Sequence, residues 1–176
     1  MVCEFSIWLL PAAKDAAMLQ GIVDELSGTL HSPVFAPHLT IQGDIALPKA
    51  ELEAALSALA ARTVVQRWTV QQIECTEHVF RCLYLRFAEH AAFTQLQHAS
   101  QALTCTRDGL SPFPHVSLAY AEPHPRLEEL AQARRAALVG RDILFDRLAV
   151  WRSSKDVAIP DWACMAQFPL QLGSSA

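Results

Sequence analysis

Apolar positions along the chain follow two rhythms that alternate from one end to the other. Four segments carry them at helical spacing: Ala13 to Leu30, with Leu19, Val23, Leu26 and Leu30; Pro48 to Arg62, with Leu52, Leu56 and Leu59; Glu89 to Thr104, with Phe93, Leu96 and Leu103; and Pro125 to Leu138, with Leu127, Leu130 and Leu138. Pro48 and Pro125 suit the first turn of a helix, and Gly140 follows the last segment closely. Between these segments lie runs rich in β-branched and aromatic residues: EFSIWLL, HLTIQGDI, QRWTVQQIECT, VFRCLYLRF, HVSLAY, ILFDRLAVWRS and WACMAQFPLQL. The predicted order is therefore β α β α β β α β α β β.

That order divides into two halves of similar plan, each ending a helix shortly before a Pro-His pair. Helices alternating with strands, together with adjacent strand pairs, predict an α+β fold: two pseudo-symmetric lobes of antiparallel sheet with helices packed outside and a cleft between them. No Ser/Gly-rich linker separates the halves, so residues 1–176 are expected to form a single bilobal domain. An apolar share of 52% is enough for one sizeable core.

Charge narrows the partners. A formal net charge of -4 argues against a protein that neutralises long stretches of nucleic-acid backbone, while a small anionic substrate needs only local donors. The arginines that follow Pro125 interleave with Glu128, Glu129, Asp142 and Asp146, which reads as a solvated mixed-charge face; Arg152 alone, next to Trp151, is placed to reach a cleft. Five cysteines, Cys3, Cys75, Cys82, Cys105 and Cys164, contain no C-x-x-C and suggest reduced thiols. The opening MVCEFSIWLLPAAKDAA carries Glu4 and lacks basic residues ahead of its apolar stretch, so it reads as a first strand, and the protein as cytoplasmic. No apolar run reaches the roughly 20 residues a membrane span needs. The protein is expected to act as a monomer.

The chemistry is carried by a repeated phrase. FAPHLTIQGD, from Phe35 to Asp44, returns as FPHVSLAY, from Phe113 to Tyr120: a loop, then Pro, His, apolar, hydroxyl, apolar, then strand. A third H-x-[ST] match at His98 to Ser100 falls inside a helical pattern without a proline and is discounted. Side chains two apart on a strand share a face, so His38 projects with Thr40 and His115 with Ser117. Two imidazoles and two hydroxyls meeting across one cleft suit the opening of a cyclic phosphodiester. One neutral imidazole takes a proton from attacking water, the other, protonated, gives one to the departing sugar oxygen, and a pKa near ~6.5 lets both forms exist near neutrality. The hydroxyls donate to the non-bridging oxygens, where charge gathers. This scheme calls on neither metal nor cofactor. His31, His78, His90, His98 and His124 lack matching partners and read as solvent-facing or structural.

Paired H-x-[ST]-apolar motifs at the starts of equivalent strands resemble the 2H phosphoesterase superfamily, and more closely its plant-type cyclic phosphodiesterases. The resemblance runs through FSIWLLP, PVFAPHLTIQGDI, VFRCLYLRF, SPFPHVSLAYAE and RLAVWRSS with WACMAQFPL. It implies that His38 and His115 are the acid and base, that Thr40 and Ser117 bind phosphate, and that Trp8 and Tyr120 lie around the substrate. It implies as substrates ADP-ribose 1'',2''-cyclic phosphate, a by-product of tRNA splicing, and nucleoside 2',3'-cyclic phosphates. Two rivals stand beside it. A 2'-5' RNA ligase-like or RNA end-processing enzyme calls for an extended basic groove, which the acidic balance disfavours. A non-catalytic nucleotide-binding module gains no support from a chain that keeps both histidines and both hydroxyls.

Overall fold

The computed structural model describes residues 4–173, so Cys3 lies outside the described residues. The helices form where apolar spacing places them: α1 at Ala13–Leu30, α2 at Lys49–Ala60, α3 at Ala91–Thr104 and α4 at Leu127–Leu138. Each turns its apolar stripe inward, α1 burying Leu19, Val23, Leu26 and Leu30 and α4 burying Leu127, Leu130, Ala131 and Leu138. Two helices end on non-glycine residues in the left-handed region, His31 after α1 and Cys105 after α3, whose N–H groups bond back to Ser27 and Gln101.

The strands are β1 at Phe5–Pro11, β2 at Leu39–Ile45, β3 at Gln66–Cys75, β4 at Leu83–Phe87, β5 at His115–Ala119, β6 at Asp142–Arg152 and β7 at Ala163–Pro169. All pair antiparallel into one sheet of order β2-β1-β6-β3-β4-β5, with β7 added on β6. This order reads the same from both ends once β2 is exchanged with β5, β1 with β4 and β6 with β3. The helices obey the same exchange: α1 packs on β5 and α3 on β2, α2 on β6 and α4 on β3. The two expected lobes are thus halves of one continuous sheet, with α1 and α3 each crossing to pack on the edge strand of the other half.

One expected strand divides. VFRCLYLRF begins as a 3-10 turn, Val79–Arg81, before β4 starts. Thr76 ties this turn down, its hydroxyl donating to the carbonyl of Arg81 at 2.7 Å and accepting from the N–H of His78 at 3.3 Å. A second 3-10 turn, Ile159–Asp161, leads into β7.

Strand alternation sorts the walls. On β1, Ile7 and Leu9 enter the main core with the helices, while Trp8 and Leu10 pack on the opposite face with Ala149, Trp151 and Trp162. The loop that precedes β5 crosses to β2 and is fastened there. Gly43 donates its N–H to the carbonyl of Gly109 at 2.8 Å, and the fully buried amide of Gln42 reaches the Asp108 carbonyl at 2.7 Å and accepts from Ser100 and Thr104. Gly109 has φ 73, and a Cβ on it would stand 2.0 Å from the Gly43 oxygen. Gly109→Ala is therefore expected to cost about 2 kcal/mol or more and to lower Tm by roughly 4–8 °C, measured by thermal unfolding; an unchanged Tm would show that the crossing is not held as described.

Candidate functional site

The palindromic sheet brings the two Pro-His segments to one cleft of about 320 Å³, whose lining includes His38, Thr40, His115, Ser117, Trp8 and Tyr120. His38 sits immediately before β2 and His115 opens β5. Register makes the halves correspond closely. Thr40 lies opposite Trp8 on β1, and Ser117 lies opposite Tyr84 on β4. Each histidine then meets its neighbouring aromatic: Trp8 stacks on His38 at 3.4 Å and 6°, and Tyr84 meets His115 edge-on at 5.4 Å.

Both imidazoles are fixed by the same device. Nδ1 of His38 lies 2.7 Å from the carbonyl of Ala36, and Nδ1 of His115 lies 2.9 Å from the carbonyl of Phe113, in each case two residues back. A carbonyl only accepts, so each Nδ1 carries a proton and Nε2 is left as the lone-pair nitrogen of the neutral ring. The Tyr120 hydroxyl lies 3.5 Å from Nε2 of His38. The Ser111 hydroxyl adds a contact of 3.3 Å at Nδ1 of His115.

Burial changes the electrostatic expectation. His38 and His115 are 5% and 9% exposed, and desolvation lowers their pKa values to about 3 and about 4. The backbone carbonyls oppose that shift, whereas positive charge adds to it: His115 acting on His38, and Arg81, Arg86 and His78 acting on His115. The ordinary imidazole pKa assumed from sequence thus does not survive folding, and in the protein alone both rings are neutral at pH 7.

The remaining residues divide by what they can offer. Thr40 is half-buried and keeps its hydroxyl on the cleft. Ser117 lines the cleft too, but donates its proton to the carbonyl of Phe80 at 2.9 Å. Trp8 is 1% exposed with His38 on one face and Trp151 on the other, at 4.3 Å, so neither face is open to a base. Tyr120 is stacked on Phe35 at 3.8 Å and buried, which leaves its hydroxyl, with a pKa raised by burial, as the group it presents. Arg152 is exposed and does not line the cleft.

Among the lining residues that were not singled out by sequence are Phe80, Arg81 and Trp162. Phe80 and Arg81 arrive on the 3-10 turn, and Trp162 arrives with the turn before β7, its plane 16° from that of Phe80. The Thr-Glu-His step before the turn is the one sequence signal for it. His78, read as solvent-facing or structural, is exposed and stands on the cleft. Among the described residues no group of three His, Cys, Asp or Glu side chains gathers as a metal site, and no helix is long and apolar enough to cross a membrane.

No family model matches the chain. It is 24% identical over 173 residues to the cyclic phosphodiesterase of Arabidopsis thaliana, covering 92% of each. Among solved structures it is similar to TT0787 of Thermus thermophilus, with TM-score 0.67, 19% identity and coverage of 97% of this chain and 99% of that one. It is similar to E. coli LigT complexed with 3'-AMP, with TM-score 0.58, 17% identity and coverage of 96% and 98%. Usb1 of Kluyveromyces marxianus follows, with TM-score 0.53, 14% identity and coverage of 96% and 98%. The chain thus shares the fold of these structures, is similar over nearly its whole length to a cyclic phosphodiesterase, and brings two H-x-[ST] motifs to one cleft.

Proposed function

We propose that this protein hydrolyses small cyclic phosphodiesters to phosphomonoesters, with His38 and His115 as an acid/base pair, and that nucleoside 2',3'-cyclic phosphates and ADP-ribose 1'',2''-cyclic phosphate are its substrates. The observation that carries the reading is the matched pair of buried imidazoles, each with Nδ1 spent on its own loop and Nε2 left for the cleft. The name of the Arabidopsis relative supports the same chemistry.

One Nε2 takes a proton from water as its oxygen attacks phosphorus. The ring P–O bond breaks on the opposite side, and the other Nε2, protonated, delivers its proton to the departing ribose oxygen. The step is balanced by water alone and ends with the proton moved from one histidine to the other. Thr40 donates to a non-bridging oxygen, and Ser117 does so after releasing the Phe80 carbonyl. Arg81 supplies positive charge beside His115. Trp8 acts by holding His38 in plane, and Tyr120 by its hydroxyl at Nε2. Phe80 and Trp162 take over the stacking of a base, since Trp8 has no open face. The reading places the protein in the cytoplasm as a monomer, where the described thiols Cys75, Cys82, Cys105 and Cys164 stay free.

Phosphorus NMR of the purified protein with each cyclic phosphate in turn, EDTA present, tests this. The cyclic signal is expected to give way to a monoester. Persistence of both cyclic signals would overturn the reading.

A further inference from the structure

The two imidazoles lean on different walls. Trp8, with Trp151 behind it, gives His38 an apolar backing. The wall beside His115 is polar, and strand register lays it out: Glu74 on β3 stands opposite Tyr84 on β4, and Arg86 on β4 stands opposite His115 on β5. Cross-strand partners share a face, as do residues two apart on one strand, so these four side chains look to the same side of the sheet.

Their contacts form a chain that ends on the imidazole. Glu74 Oε2 accepts from the Tyr84 hydroxyl and from Nη1 of Arg86, the latter at 3.4 Å. Tyr84 is 2% exposed, so its end of this junction is shielded from water. The Arg86 guanidinium covers the ring of Phe113, its central carbon 4.1 Å from the centroid. Phe113 is the residue whose carbonyl takes the Nδ1 proton of His115, and its ring lies 5.2 Å from the imidazole and 5.8 Å from the ring of Tyr84. None of Glu74, Tyr84, Arg86 and Phe113 lines the cleft, so contact with a substrate there does not account for the arrangement.

We propose that Arg86, anchored by Glu74, is a positioning residue for His115: it clamps Phe113, and with it the carbonyl that sets the plane of the imidazole, so that Nε2 is aimed at the reacting phosphate. The inference rests on the cyclic phosphodiesterase reading above. Charge acts beside geometry. Arg86 faces His115 from β4 with Glu74 behind it on β3, Arg81 and His78 face it from the 3-10 turn, and His38, Asp44 and Lys155 line the same cleft. On the other face of β5, α1 turns inward Leu19, Val23, Leu26, Ser27 and Leu30, none of which titrates.

The test measures kcat and KM for adenosine 2',3'-cyclic phosphate in the wild type, Arg86→Ala, Arg86→Lys and Glu74→Gln, and follows the ring titrations of His38 and His115 in the ligand-free proteins by nitrogen-15 NMR. Arg86→Ala is expected to lower kcat by about tenfold while KM stays within about twofold, because aim is lost and binding is not. Its His115 titration should rise, since one of the positive charges that oppose protonation is gone, and that of His38 should move less. Arg86→Lys restores the charge without the planar guanidinium, so the titration should return toward the wild-type value while kcat stays low. Glu74→Gln removes the anchor's charge at nearly constant shape and should lower kcat by about threefold; it keeps the test sharp if Arg86→Ala folds poorly. An unchanged kcat in Arg86→Ala, a loss that falls on KM, full recovery of kcat in Arg86→Lys, or equal shifts of the two histidine titrations would overturn the positioning role and leave the hydrolysis standing. No turnover by the wild type would overturn the underlying reading, and the titrations would still decide whether Arg86 acts on His115.

Discussion

Replacing His38 or His115 by Asn is expected to lower turnover of a nucleoside 2',3'-cyclic phosphate by about 10²–10⁴-fold in each case, with the double variant scarcely worse than either single one. In the proposed scheme the reason is the exchange of protons: a base without its acid partner leaves the ribose oxygen to depart as an alkoxide, and an acid without its base leaves water as the nucleophile. Either loss disables the same step, so the two costs do not add. Asn is the sharper substitution because it preserves polarity where Nδ1 meets the Ala36 or Phe113 carbonyl, and it keeps some bulk against Trp8 or Tyr84. Steady-state kinetics with a matching thermal melt checks both parts. Activity near that of the wild type in either single variant would end the two-histidine scheme.

Much of the fold was legible because burial writes its period into the chain. All four helices lie where 3.6-residue spacing puts them, and the pairing of His38 with Thr40 and of His115 with Ser117 follows from the two-residue period of a strand. What stayed hidden depends on register and on local turns. Tyr84 becomes the counterpart of Trp8 only because β4 meets β5 with Tyr84 opposite Ser117, and no pattern within one strand states that. Phe80 and Arg81 sit in an apolar run that reads as strand, and the Thr76 hydroxyl bends it into a turn. Gln42 occupies a strand position where a polar residue suggests solvent, yet it is fully buried and fastens the loop that leads to His115. The same dependence on register explains Trp8. Its strand and side were legible, but the Trp151 ring that closes its second face comes from β6, far along the chain.

The buried imidazoles also make stability and ligand binding depend on pH in a direction that can be worked out. In the unfolded chain each titrates at the ordinary imidazole value of 6.5, whereas in the folded protein burial brings His38 and His115 down to about 3 and about 4. Above the unfolded value neither state binds these protons and nothing is lost. As pH falls below it, the unfolded chain takes them up and the native protein does not, so stability declines by up to about 1.4 kcal/mol per pH unit for each ring until the folded values are reached. Urea unfolding between pH 7.5 and 4 should show this slope, and His38→Asn and His115→Asn should each flatten it; an identical slope in both variants would contradict the burial argument. The proposed reaction, in contrast, needs the pair to hold one proton, and an anion beside the two rings favours the charged form. Sulfate, which does not itself titrate near neutrality, is therefore expected to bind at pH 7 with net proton uptake of up to one per site, read from calorimetry in buffers of different ionisation enthalpy. Binding without uptake would mean that the substrate's charge does not prime the acid. With uptake, the burial that costs stability in acid becomes the reason the pair is armed only when a phosphate is in place.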